Sequence, residues 1–215
     1  ASENPPADPR AMLFSDLASA SDSGAVDKAH MAADTRAPAK ILFTSGSTAI
    51  PKGVIQTQRM LTTNQVMVRS VFRFFETTPP VVVDWLPWHH TAGGNNNFGM
   101  ILFNGGSCYI DDGKPVPGHI ERTLRNLREV PATVNYGVPK GWAELIPYLR
   151  AARQLRDTFF SKLQLMFSAG ASLPQHGWDA PNALSVLACG ARGAITTRRG
   201  STATGPFAPC RPQAR

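Results

Sequence analysis

Residues 44–53 read TSGSTAIPKG. The side chains of Thr44, Ser45, Ser47 and Thr48 carry hydroxyls that can donate to phosphate oxygens. Gly46 lets the backbone turn and approach a ligand closely, so that consecutive N–H groups form an anion nest. Lys52 adds a compact positive charge for the outer phosphates, and Pro51 stiffens the approach. The segment departs from the Walker A loop, which ends in Gly-Lys-Ser/Thr; here Pro51 precedes the lysine and Gly53 follows it. A Ser/Gly turn with no ligand is the bland alternative. The Pro-Lys-Gly ending and the apolar run in front favour a phosphate loop.

The elements that must hold this loop can be read on either side of it. Ala39 to Phe43 is a short apolar run bounded by Gly and Ser, expected to be a buried strand. Thr57 to Phe75 carries apolar residues at helical spacing, with Thr57 as N-cap. Strands are expected at Val81–Val83, Ser107–Ile110, Ala132–Tyr136 and Leu163–Phe167, and one more at Leu184–Cys189. Helices are expected at Ala92–Phe103, from Ile120 for three turns, and at Trp142–Leu149. Alternation at this spacing predicts an α/β fold, a mostly parallel sheet flanked by helices on both faces. No internal repeat is present. Residues 1–37 read as a linker or the edge of another region, 38–178 as the core, and 179–215 as a degenerate, poorly ordered stretch.

Composition bounds the function. The chain has 215 residues, 42% hydrophobic and 17% charged, with a net charge of +7. Much of that charge lies in Arg192, Arg198, Arg199, Arg211 and Arg215, a stretch with no acid and only Phe207 as an aromatic. A base-stacking platform is therefore missing, and the sequence points away from nucleic acid. No apolar run is long enough for a membrane-spanning helix, and the opening residues, ASENPPADPRAMLF, are not expected to act as a secretion signal. Cys108, Cys189 and Cys210 are too far apart for a zinc site or disulfide framework. A cytoplasmic setting is expected.

Three further segments join the loop: VDWLPWHHTAGGNNNFGMILFNGGSCYIDDGKP, NLREVPATVNYGVPKGW and LQLMFSAGASLPQHGW. Together they resemble the adenylate-forming (AMP-binding) superfamily, and within it the feruloyl-CoA synthetase branch. The resemblance implies part of that superfamily's N-terminal domain, strongest over 38–178. It implies an acid–thiol ligase of the AMP-forming, CoA-dependent kind. A carboxylate attacks the α-phosphate of ATP, and the CoA thiol then attacks the acyl carbon of the adenylate. ATP, Mg2+ and CoA are the implied cofactors, and ferulate or another hydroxycinnamate the implied acid.

By the same resemblance, Thr44, Ser45, Gly46, Ser47, Thr48 and Lys52 bind nucleotide. Gly170 and Ala171, within SAGAS, pass the adenine, and Gly170 also borders the acyl group. A tight turn before Pro174 would use the same small residues. Gly200, Ser201 and Thr202 match the opening of a GSTET motif. His90 lines the carboxylate site, where an imidazole can orient an acid. Trp88, like Trp85, either shapes an aromatic acid pocket or belongs to the core.

The pattern is broken at several places. Ala49 stands where the family usually has glycine. Ala203 replaces a glutamate that helps hold Mg2+, and Arg199 stands where an aromatic is common. The family's ribose-binding aspartate, hinge and catalytic lysine have no counterpart, so no catalytic residue is assigned. These breaks carry a second reading, a truncated and inactive remnant that at most binds nucleotide. Unpaired strand edges also predict self-association.

Overall fold

The structure, a computed structural model, describes residues 11–21, 24–44, 51–168, 175–189 and 195–197. The chain divides into two units between Ala37 and Pro38. The first holds two short helices, α1 (Phe14–Ala18) and α2 (Ala25–Met31), neither of which has a buried residue.

The second unit begins with a hairpin. Strand β1 (Pro38–Phe43) pairs antiparallel with β2 (Gly53–Thr57). The strand expected at Ala39–Phe43 is present, but it is not buried. Ile41 is 56% exposed and Phe43 74% exposed, because a two-stranded hairpin covers only one of its faces. Strand β2 was not foreseen; it runs without a break into helix α3 (Gln58–Val71). Thr57 ends the strand and caps the helix, its Oγ1 accepting from Met60 N–H at 3.2 Å. Helix α3 ends earlier than the apolar spacing suggests, because Phe72 leaves helical geometry and a single 3-10 turn follows at Arg73–Glu76.

Parallel strands follow. β3 (Val81–Asp84) pairs with β4 (Ser107–Ile110), and β5 (Val134–Gly137) pairs with β6 (Leu165–Ser168), which pairs with β7 (Ile195–Thr197). Thr133 joins the two groups. Its N–H donates to the Val81 carbonyl, and its Oγ1 accepts from Val81 N–H at 2.8 Å. The order across is thus β4-β3-β5-β6-β7.

The crossovers cover both faces. A π-helical turn at Thr91–Asn97 leads into α4 (Phe98–Phe103), between β3 and β4. Helix α5 (Ile120–Glu129) connects β4 to β5. Helices α6 (Pro139–Ala151) and α7 (Arg153–Ser161) connect β5 to β6, and α8 (Gln175–Cys189) connects β6 to β7. Pro139 opens α6 where its missing N–H costs nothing. The segment Leu184–Cys189, expected as a strand, is the second half of α8. Leu184 and Ser185 are buried while Val186 and Leu187 are exposed, the one-sided burial of a helix.

Alternation along the strands builds two cores. Val82, Val134, Tyr136, Leu165 and Phe167 pack with Val68, Phe72, Met100 and Ile101 from α3 and α4. Val83 and Met166 face the other way, against Leu124, Trp142, Leu149, Leu155, Phe159 and Leu184 from α5 to α8. Among the described residues no helix is long and apolar enough to cross a membrane.

Candidate functional site

The hairpin fixes the stem of the hydroxylated loop. Phe43 pairs with Gly53, and beyond that pair Thr44 N–H donates to the Lys52 carbonyl at 3.0 Å. The Thr44 hydroxyl reaches the same carbonyl at 3.4 Å. Among the described residues Thr44 and Lys52 are thus the last cross-strand pair. The Lys52 side chain is exposed at that point. Ser45, Gly46, Ser47 and Thr48 lie outside the described residues, as does Ala49.

Six residues past the end of β3 comes His90. It caps the π-helical turn with its ring, Nδ1 accepting from Ala92 N–H at 3.1 Å. That bond places the proton of the neutral imidazole on Nε2 and leaves this nitrogen as a donor. Trp88 is 46% exposed and packs its ring on Phe98, with centroids 4.9 Å apart. It belongs to the rim of the turn and not to either core. The turn lies very close to the segment that leads into it: a Cβ on Gly94 would stand 2.1 Å from the Trp88 carbonyl oxygen. Glycine is required there for the backbones to meet.

Asp84, at the carboxyl end of β3, anchors this arrangement and was not among the residues singled out. It is buried, and Oδ1 accepts from Leu86 N–H at 3.1 Å and from Asn97 Nδ2 at 3.0 Å. Among the described residues Oδ2 is buried without a hydrogen-bond partner. Burial pushes the carboxyl pKa up, opposed by the bonds from Asn97 and Leu86 and by the nearby Trp88 indole, while the charge of Asp111 raises it further. The sequence signal was an acid closing an otherwise apolar VVVD run.

A polar layer connects the hairpin to the His90 turn. Asn95 Nδ2 donates to Gln56 Oε1 on β2 at 3.3 Å and to Thr91 Oγ1 at 3.2 Å. Gln65 Nε2 of α3 donates to the Asn95 carbonyl at 2.9 Å. All of these residues are buried, so each bond acts in a weakly screened setting where losing a partner is costly. The run Asn95-Asn96-Asn97 was the available signal.

The parallel register supplies the remaining edge. Gly137, Ser168 and Thr197 are in register at the carboxyl ends of β5, β6 and β7. Ser168 is fully buried, and its Oγ has no partner among the described residues. The segments that leave from Ser168 and Thr197 are those that contain Gly170, Ala171, Gly200, Ser201 and Thr202, which themselves lie outside the described residues.

Known proteins resemble this chain in sequence and in fold. The model of the AMP-binding enzyme family matches residues 3–208. An anthranilate–CoA ligase of Pseudomonas aeruginosa is 32% identical over 149 residues, 66% of this chain and 25% of the relative. A medium-chain-fatty-acid–[acyl-carrier-protein] ligase of Teredinibacter turnerae is 41% identical over 125 residues, 58% of this chain and 18% of the relative. The chain therefore spans a quarter or less of these two relatives. Among solved structures, a malonyl-CoA ligase with methylmalonyl-CoA and AMP bound superposes with a TM-score of 0.62 at 24% identity, covering 89% of this chain and 40% of that one. An anthranilate CoA ligase in complex with anthranoyl-AMP gives a TM-score of 0.56 at 18% identity, over 76% of this chain and 30% of that one. These likenesses carry the fold, a mixed α/β domain with parallel strands, and the family match carries the lineage. The chain belongs to the AMP-binding enzyme family, and its relatives include acyl- and aryl-CoA ligases.

Proposed function

We propose that the chain supplies the nucleotide- and acid-binding part of an ATP-dependent acyl- or aryl-CoA ligase. The observation that carries this reading is the bonded path from the hairpin stem through Gln56 and Asn95 to the turn capped by His90. It links a loop suited to phosphates with a donor suited to a carboxylate.

In this reading Thr44, Ser45, Gly46, Ser47, Thr48 and Lys52 hold the phosphates of ATP. Gly170 and Ala171, with Gly200, Ser201 and Thr202, border the nucleoside. The Nε2–H of His90 donates to the carboxylate of the acid and aims its other oxygen at the α-phosphorus. The new P–O bond forms as the bond to pyrophosphate breaks. The thiol of CoA then attacks the acyl carbon and AMP leaves. Trp88 and Gly170 border the acid.

The residues do not fit a carboxylate-held Mg2+ at position 203, since Ala203 has no ligand oxygen. Among the described residues no group of three His, Cys, Asp or Glu side chains could hold an ion. In this reading Lys52 and the loop amides meet charge on the phosphates.

The acid is proposed to be ferulate or a related hydroxycinnamate, on the resemblance of the PWHHTAGG segment and its flanks. The test is pyrophosphate release with ATP and a panel of ferulate, anthranilate, malonate and a medium-chain fatty acid. Release fastest with ferulate supports the reading; release that ignores the acid contradicts it. Ala203 favours a second reading, nucleotide binding without turnover. It predicts ATP binding to folded protein and no release with any acid.

A further inference from the structure

Two routes that hold His90 in place begin at one oxygen atom. Asp84 Oδ1 accepts from Leu86 N–H at 3.1 Å and from Asn97 Nδ2 at 3.0 Å. Leu86 lies in the segment that leads to His90, and Asn97 ends the π-helical turn that His90 caps. From the first side, His90 N–H donates to the Pro87 carbonyl at 3.0 Å. From the second, Gly94 N–H donates to the His90 carbonyl at 2.9 Å, and Ala92 N–H donates to the ring Nδ1. The two sides also meet: a Cβ on Gly93 would stand 2.5 Å from the Pro87 carbonyl oxygen. Residues 86–97 are thus fastened near both ends to Asp84, with His90 between.

The fastening is buried and directional. Asp84 is 4% exposed, and Asn97 is fully buried. Asn97 Oδ1 accepts from Asn96 Nδ2 at 2.9 Å, which leaves its own Nδ2 for the carboxylate. Hydrogen bonds to a charged acceptor are about twice as strong as neutral ones, and burial leaves them weakly screened. With Nδ1 engaged by Ala92, the ring offers Nε2–H to a ligand. A misplacement of about 1 Å in such a donor can cost about 100-fold in rate.

We infer that Asp84 is a positioning residue for acid recognition: through Leu86 and Asn97 it sets where the His90 ring stands, without touching the acid. This role rests on the reading in which His90 Nε2–H meets the carboxylate of the acid. One arm of its test therefore needs no acid.

That arm follows the Ala92 amide signal of isotope-labelled protein as the His90 ring takes up a proton. In the native protein the signal should move with the ring, because protonation removes the Nδ1 acceptor. Asp84→Ala should remove most of this movement under conditions where the variant is folded. Asp84→Asn keeps an acceptor oxygen and should restore it. Asn97→Ala breaks the same fastening from the other side and should reproduce the loss, which decides the matter if Asp84→Ala does not fold. Native-sized movement in either folded alanine variant, or no recovery in Asp84→Asn, overturns the role.

The second arm is pyrophosphate release with ATP and ferulate, or whichever of anthranilate, malonate and a medium-chain fatty acid releases faster. Asp84→Ala should lower kcat/KM for the acid about tenfold or more and leave KM for ATP within about twofold. Asp84→Asn should recover most of the loss. Equal losses for acid and ATP overturn the role. A native protein that releases nothing, while Asp84→Ala still loses the Ala92 response, removes the ligase reading and upholds the hold of Asp84 on the ring.

Discussion

Asn95 Nδ2 donates to Gln56 Oε1 across 3.3 Å, and both residues are buried. One stands on the strand that leaves the hydroxylated loop, the other in the turn that His90 caps. Removing the amide loses this bond and the one to Thr91, while relieving the buried Asn95 Oδ1 that has no partner among the described residues. Asn95→Ala should cost about 1–2 kcal/mol in urea unfolding. In a double-mutant cycle with Gln56→Ala the coupling should be about 1 kcal/mol. Additive losses would show that the two elements are not joined through this pair.

His90 has two separable jobs. His90→Ala loses the ring acceptor for Ala92 N–H, and cap losses cost about 1 kcal/mol. His90→Asn keeps a side-chain acceptor at the cap but moves the outer donor. Thermal unfolding should therefore place Asn close to the native protein and Ala below it. Acid-dependent pyrophosphate release should fall in both. An Asn variant with native release would remove the imidazole from the acid site.

Gly94 permits contact that no other residue can. Gly94→Ala would press a methyl into the Trp88 carbonyl. The expected loss is about 1–3 kcal/mol, the cost of an overpacked contact that must shift backbone. Equilibrium unfolding of the variant checks this, and an unchanged midpoint would mean that the turn and the Trp88 backbone are not in contact.

Asp84 makes stability depend on pH with a definite sign. Its folded pKa is raised by burial above the ordinary carboxyl value. The folded protein thus holds this proton more tightly than the unfolded chain. The stability this supplies is full below the ordinary value of about 4 and is lost as pH rises through the raised one. Asp84→Asn removes the titration. The stability of the variant relative to the native protein should therefore improve from about pH 4 towards neutrality. A difference that stays flat across that range, or moves the other way, would contradict the buried, raised carboxyl.

The hairpin presents Ile41, Phe43 and Ile55 to solvent, with Phe43 74% exposed. An apolar strand face of this kind promotes association. Light scattering should report species larger than one chain, and Phe43→Lys with Ile55→Lys should reduce their mass. A native protein that scatters as a single chain would show that this face does not drive association.

Much of this arrangement was readable from local chemistry. Thr57 was legible as a cap because its hydroxyl sits just ahead of helical spacing, and VVVD was legible as a strand because its apolar run is short and β-branched. Strand β2 was not, since Gly53–Thr57 merges with a helix and Thr57 serves both. Leu184–Cys189 was misread because a short apolar run looks the same in a strand and in a half-buried helix. For the candidate site, the loop stem could be expected from the residue types of TSGSTAIPKG, and His90 only through the resemblance of the PWHHTAGG segment. Asp84 and Asn95 could not, because their partners Asn97 and Gln56 become neighbours only through the fold, 13 and 39 residues away in sequence.

The most direct test is calorimetric titration of ATP into the folded chain and into Lys52→Ala. The account predicts one saturable site whose affinity falls about tenfold or more in the variant, as expected for a charge-assisted bond of about 1.5–3 kcal/mol. Lys114→Ala, an exposed lysine outside the TSGSTAIPKG segment, should leave the affinity unchanged. No saturable heat, or equal affinity in Lys52→Ala and the native protein, would contradict the claim that TSGSTAIPKG holds nucleotide phosphate.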